Sequence, residues 1–152
     1  MKRYLFGFIC AAALTTTSTL AQDGLVRVKS HFDVETTANQ FEQVIVQSGM
    51  TVFSRVRHSE SASKIGVSLP PTQLIIFGNP KVGSKLMTCQ QSIAIDLPQK
   101  ALVSQDNSNT VWLTYNDPEY LAKRHKIKGC DAVIGKVKKA LASFAEQATQ
   151  AP

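Results

Sequence analysis

Polar and apolar residues along the chain switch between two periodicities. From Gly24 to Phe32, Leu25, Arg27, Lys29 and His31 interleave with Val26, Val28 and Ser30, which is the pattern of a strand. Asp33 then stands as an N-cap, and Val34, Ala38, Phe41, Val44 and Ile45 recur at helical spacing until Gly49 supplies a stop. Met50 to Arg57 predicts a second strand, with Val52, Ser54 and Val56 on one face and Thr51, Phe53 and Arg55 on the other. His58 to Ala62 opens a short helical or irregular excursion that ends near Gly66, and Pro70-Pro71 punctuates the chain. Thr72 to Phe77 reads as a third strand, whose Leu74-Ile75-Ile76-Phe77 run indicates burial on both faces. Gly78-Asn79-Pro80 turns it into a short helix around Gly83 to Gln91. Lys100 to Gln105 and Thr110 to Tyr115 pair as a hairpin across Asp106-Asn107-Ser108-Asn109. Asn116-Asp117-Pro118 starts a short helix, Glu119 to His125, and Asp131 caps a last helix striped by Val133, Val137, Leu141 and Phe144. The order β-α-β-β-β-β-α, with short helical insertions, predicts an α+β fold. In it, two long helices cover one face of an antiparallel sheet.

The first 21 residues follow a different logic. Lys2 and Arg3 precede an uncharged, mostly apolar run from Tyr4 to Leu14, then small polar residues leading to Leu20-Ala21. That layout is a signal peptide, with cleavage expected after Ala21 and delivery to a bacterial periplasm. A membrane-spanning helix needs about 20 apolar residues, far more than this run offers. Cys10 follows Ile9, not a small residue, which argues against a lipoprotein anchor. Loss of residues 1–21 from the 152 would leave one domain of 131 residues, 22–152, without a membrane anchor, and would lower the net charge from +6 to +4. Mild basicity in an exported domain indicates solubility, not nucleic-acid binding. The lysines and arginines of Lys123 to Lys128 and Lys136 to Lys139 read as a solvated face.

Export also changes the meaning of the cysteines. Cys89 and Cys130 would remain, and an oxidising compartment would allow them to pair. The other reading is two separate buried thiols. No Cys-x-x-Cys pair supports a thioredoxin-like or c-type haem motif. His31, His58 and His125 form no local metal pair, and His125 suits a helix C-terminus. His58 with Met87 and Cys89 forms a candidate set for copper or haem iron, although Met and Cys are also ordinary core residues. No Gly-x-Ser-x-Gly elbow, phosphate loop or glycosidase carboxylate pair stands out, so no catalytic residue is assigned. The turn Gly78 to Gly83 either offers its amides to an anion or is simply tight.

From His58 onward the residues carry a resemblance. His58, Leu69 with Pro71-Thr72, Phe77-Gly78-Asn79-Pro80, Gly83, Leu86-Met87, Leu97-Pro98, Trp112, Tyr115-Asn116-Asp117-Pro118, Leu121-Ala122 and Arg124-His125 resemble the family called Domain of Unknown Function 302, in its exported form. Weaker similarity covers the first strand and helix. The resemblance implies a small α+β fold like that of the TATA-binding-protein class, often a homodimer, and no established reaction. Arg57, Pro70 and Ser84 depart from the family pattern, and the cysteines are not part of it. Most of the signature is explained by fold maintenance. His58 is least explained that way, so the expected ligand site is His58, Thr72, Asn79 and Met87 around one pocket.

These residues favour an exported, non-catalytic binding module, dimeric as the resemblance implies, whose ligand is a small molecule or a periplasmic protein, with no cofactor required. A metal- or haem-binding redox protein using His58, Met87 and Cys89 is the first alternative. A small hydrolase or isomerase with His58 as base is the second.

Overall fold

The structure, a computed structural model, describes residues 24–151. The expected signal peptide and its cleavage site at Ala21 lie outside the described residues. Five strands form one sheet: β1 (Leu25–Lys29), β2 (Thr51–Arg57), β3 (Thr72–Gly78), β4 (Gln99–Gln105) and β5 (Val111–Asn116). Their spatial order is β1-β5-β4-β3-β2, and every neighbouring pair is antiparallel. The helices are α1 (Val34–Gln47), α2 (His58–Ser63), α3 (Pro80–Cys89), α4 (Pro118–Arg124) and α5 (Asp131–Thr149), with a 3-10 turn at Gln91–Ile95.

Both long helices lie on one face, as the apolar stripes require. Asp33 caps α1 by accepting from the Thr36 N–H at 2.7 Å. Ala38, Phe41 and Ile45 of α1 meet Ile75, Phe77, Val103 and Leu113 of the sheet in the main core. The Phe41 and Phe77 rings pack edge to face at 5.2 Å. Leu141, Phe144, Ala145 and Ala148 bring α5 into the same core.

Four expectations need correction. The run in β3 is buried on one face only, through Gln73, Ile75 and Phe77; Leu74 and Ile76 are half-buried on the face away from the long helices. In β2 a bulge intervenes between Val52 and Ser54, so Val52 joins the core while Ser54 and Val56 point the other way. The helix placed around Gly83 begins earlier, because Asn79 caps it and Pro80 occupies its first turn, where no amide hydrogen is needed. Asp131 is the first residue of α5, not its cap; Cys130 holds the cap position without a side-chain hydrogen bond.

An apolar groove between two helices

The route to the site starts where β3 ends. The Asn79 side chain accepts from the Lys81 N–H at 2.9 Å, and its carbonyl accepts from the N–H groups of Val82 at 3.0 Å and Gly83 at 2.9 Å. The amides at this turn are therefore occupied, and the turn is a helix cap, not an anion cradle. α3 then runs toward α5, where Cys89 is disulfide-bonded to Cys130 with Cα atoms 6.3 Å apart. Around that bond Leu86, Ile93, Cys130 and Ile134 form a second core cluster.

The disulfide end of α3 is thus bolted to α5. Between them opens a groove of about 620 Å³. Phe77, Leu141 and Phe144 line its buried side, Val82 and Met87 belong to the α3 wall, and Val133, Val137 and Ala140 to the α5 wall. Met50, Phe53 and Leu97 border it further. Val133 and Val137 fit the apolar stripe of the last helix, yet stay only half-buried because they face this space. Among the described residues three lysines, Lys81, Lys85 and Lys136, line it, and no carboxylate does.

The expected site residues divide between two ends of the sheet. Asn79 and Met87 line the groove; His58 and Thr72 do not. The cause is the extension of β3. Thr72 and Asn79 are separated by seven residues of extended chain, roughly 20 Å, so they cannot share one small pocket. Thr72 instead fastens the loop, its N–H donating to Ser59 Oγ at 3.3 Å and its hydroxyl to the Pro70 carbonyl at 2.9 Å. The His58 side chain is exposed at the start of α2. A recess of about 340 Å³ nearby is lined by Ser59, Ser63 and the Gly66 to Leu69 loop, without His58. The metal or haem set also fails, because Cys89 is spent in the disulfide and His58 lies at the other end of β3 from Met87. Among the described residues no group of three or more His, Cys, Asp or Glu side chains could hold a metal ion.

Two polar clusters escaped sequence reasoning. Arg55 points toward α1, where its guanidinium donates to Gln73 Oε1 and Asn39 Oδ1, each at 2.6 Å, and pairs with Glu35 at 3.1 Å. Gln73 donates to Glu35 in turn at 2.7 Å. That hydrogen bond, ahead of the nearby Arg55 and Arg57 charges, holds the Glu35 carboxyl below the usual range. The second cluster surrounds buried His125. Its Nε2 lies 2.5 Å from Asp96 Oδ2 and its Nδ1 3.0 Å from Ser92 Oγ, while Arg124 pairs with Asp96 at 3.5 Å. The connectivity Ser92–His125–Asp96 is that of a nucleophile, a base and an orienting carboxylate. It also ties the end of α4 to the 3-10 turn, which explains the buried histidine structurally. Nothing in the spacing announced either cluster, since their members are far apart in sequence.

A two-layer α+β domain with an apolar groove under its third helix is the class these observations define. The chain matches the model of the family described as domain of unknown function DUF302 over residues 26–144, and it belongs to that family. An uncharacterized conserved DUF302 protein from Bacillus stearothermophilus has the same fold, with a TM-score of 0.75 at 18% identity, covering 83% of this chain and 98% of that one. Among curated proteins, Fluoride-specific ion channel FluC 1 of Brucella suis is 44% identical over 110 residues, 72% of this chain and 43% of that protein. FluC 2 of Brucella melitensis is also 44% identical over 110 residues, covering 41% of its length. The chain therefore spans less than half the length of these curated relatives. Among the described residues no helix is long and apolar enough to cross a membrane.

Proposed function

We propose that this protein is an exported, non-catalytic binding module that takes up a small, largely apolar ligand in the groove between α3 and α5. The observation that carries the reading is the groove itself. Its volume lies in the range of small-molecule sites, and its walls are apolar side chains with a few polar groups at the edge. Soluble domains seldom leave such contiguous apolar surface open without a use. Ligand binding to the folded state alone raises apparent stability as the logarithm of ligand concentration over Kd. A thermal-shift screen should therefore find ligands among apolar compounds and not among sugars or amino acids. A screen in which apolar compounds give no shift would refute the reading.

Export is supported by the layout of residues 1–21. Mass analysis of protein taken from periplasm should give a chain beginning at Gln22; a chain retaining Met1 would contradict it. The homodimer implied by family membership is supported by the sheet face opposite the long helices, where half-buried Val56, Leu74 and Leu102 lie in register. Fluoride conduction is not carried across from the curated relatives, because the match covers less than half of them.

One observation favours a second reading. If the protein hydrolyses esters, the base is His125 rather than the exposed His58, because among the described residues His125 is the histidine that lies between a serine hydroxyl and a carboxylate. Ser92→Ala should then abolish labelling by a fluorophosphonate probe, and an unlabelled parent protein disposes of this reading.

A further inference from the structure

We infer that the occupant of the groove is a single amphiphile with an anionic head, such as a straight-chain carboxylate. This rests on the groove being the ligand site, and adds the chemistry of what fills it. Lys81 and Lys85 belong to the α3 wall and Lys136 to the α5 wall, and among the described residues no Asp or Glu lines the groove. None of the three lysines is ion-paired with a described residue, whereas Lys138, two positions from Lys136, pairs with Glu119 at 2.6 Å. Lys81 and Lys85, four positions apart on one helix, repel each other, and an anion near them relieves that repulsion. Beneath them Phe77, Leu141 and Phe144 offer hydrocarbon alone, which suits an alkyl chain and penalises a polar body. The α3 turn amides are already satisfied by Asn79, so the lysines are the cationic groups that can receive the head.

Calorimetric titration of a homologous series of straight-chain carboxylates, and of the alcohols of equal length, tests this. Binding should be one to one, below the concentration at which the amphiphile self-associates. Each added methylene should tighten it about fourfold until the groove is full. Replacing a lysine, as in Lys85→Gln or Lys136→Gln, should weaken carboxylate binding about twofold to fivefold and leave alcohol binding unchanged. Raised salt should likewise weaken the carboxylate only. Equal affinity for alcohol and carboxylate would overturn the anionic head while leaving an apolar ligand site intact. Absence of binding by both series would remove the site and the inference together. Association only with anionic vesicles, and not with monomeric amphiphile, would make the groove a membrane-surface contact and overturn the inference.

Discussion

Asp106 gathers three donors at the β4–β5 turn: the N–H groups of Ser108 at 2.8 Å and Thr110 at 3.0 Å, and the Trp112 indole at 2.8 Å. The indole hydrogen bond first, then the Thr110 amide, holds its carboxyl below the usual range. A carboxyl depressed in the fold contributes stability above its unfolded pKa of about 4 and loses it as pH falls through the folded value. Asp106→Asn should therefore lower the melting temperature at neutral pH, and the gap to the parent should close on acidification below about 4. A gap independent of pH would show that the charge is not what the turn uses. Sequence alone identified this segment as a turn, because Asp, Asn and Ser cluster there. It did not reveal Trp112 as a partner, since that contact depends on the register of the hairpin. For the same reason Asn79 was legible as a turn residue while its cap of α3 was not. His58 stood out only because nothing local explained it, and the fold leaves it in solvent away from the groove.

At the scale of elements, the disulfide decides how α3 meets α5. Cys89 and Cys130 are 41 residues apart, and closing a loop of that length is worth about 4 kcal/mol in the chain-entropy model. Reductant should lower the melting temperature of the parent and leave Cys89→Ser with Cys130→Ser unaffected. Equal melting of both proteins in oxidising buffer would show that the bond adds nothing. Arg55 makes a comparable joint between β2 and α1. Because Glu35 is half exposed while Arg55 is nearly buried, Arg55→Ala should cost about 2 kcal/mol in denaturant unfolding. A change under 0.5 kcal/mol would make the network ornamental. The element order was readable because each strand and helix carries its own period. The bulge at Phe53 was not, since one extra residue leaves alternation intact on both sides. The 3-10 turn was hidden likewise, its five residues too few to show a period.

At the scale of the molecule, two apolar surfaces remain open among the described residues, and they predict different associations. The sheet face carrying Val56, Leu74 and Leu102 is the proposed dimer contact, so Leu74→Glu should shift sedimentation from dimer to monomer. A parent protein that sediments as a monomer at all concentrations would remove the dimer. The groove is the other surface, and no motif foretold it: its walls come from α3 and α5, which are distant in sequence and joined by a disulfide. Asn79 and Met87 of the expected site border it because they sit on the element that forms its wall. The direct test blocks the groove. Gly83 lines the groove, and among the described residues outside its own helix backbone a Cβ placed on it would meet Leu97 Cδ1 at 3.8 Å, an ordinary contact, so the position accepts a side chain at its first carbon. An apolar dye that brightens on leaving water should titrate to one site per chain in the parent and in His58→Ala, and fail to bind Gly83→Leu of unchanged melting temperature. Undiminished uptake by Gly83→Leu, or its loss in His58→Ala, would place the ligand elsewhere and contradict the account.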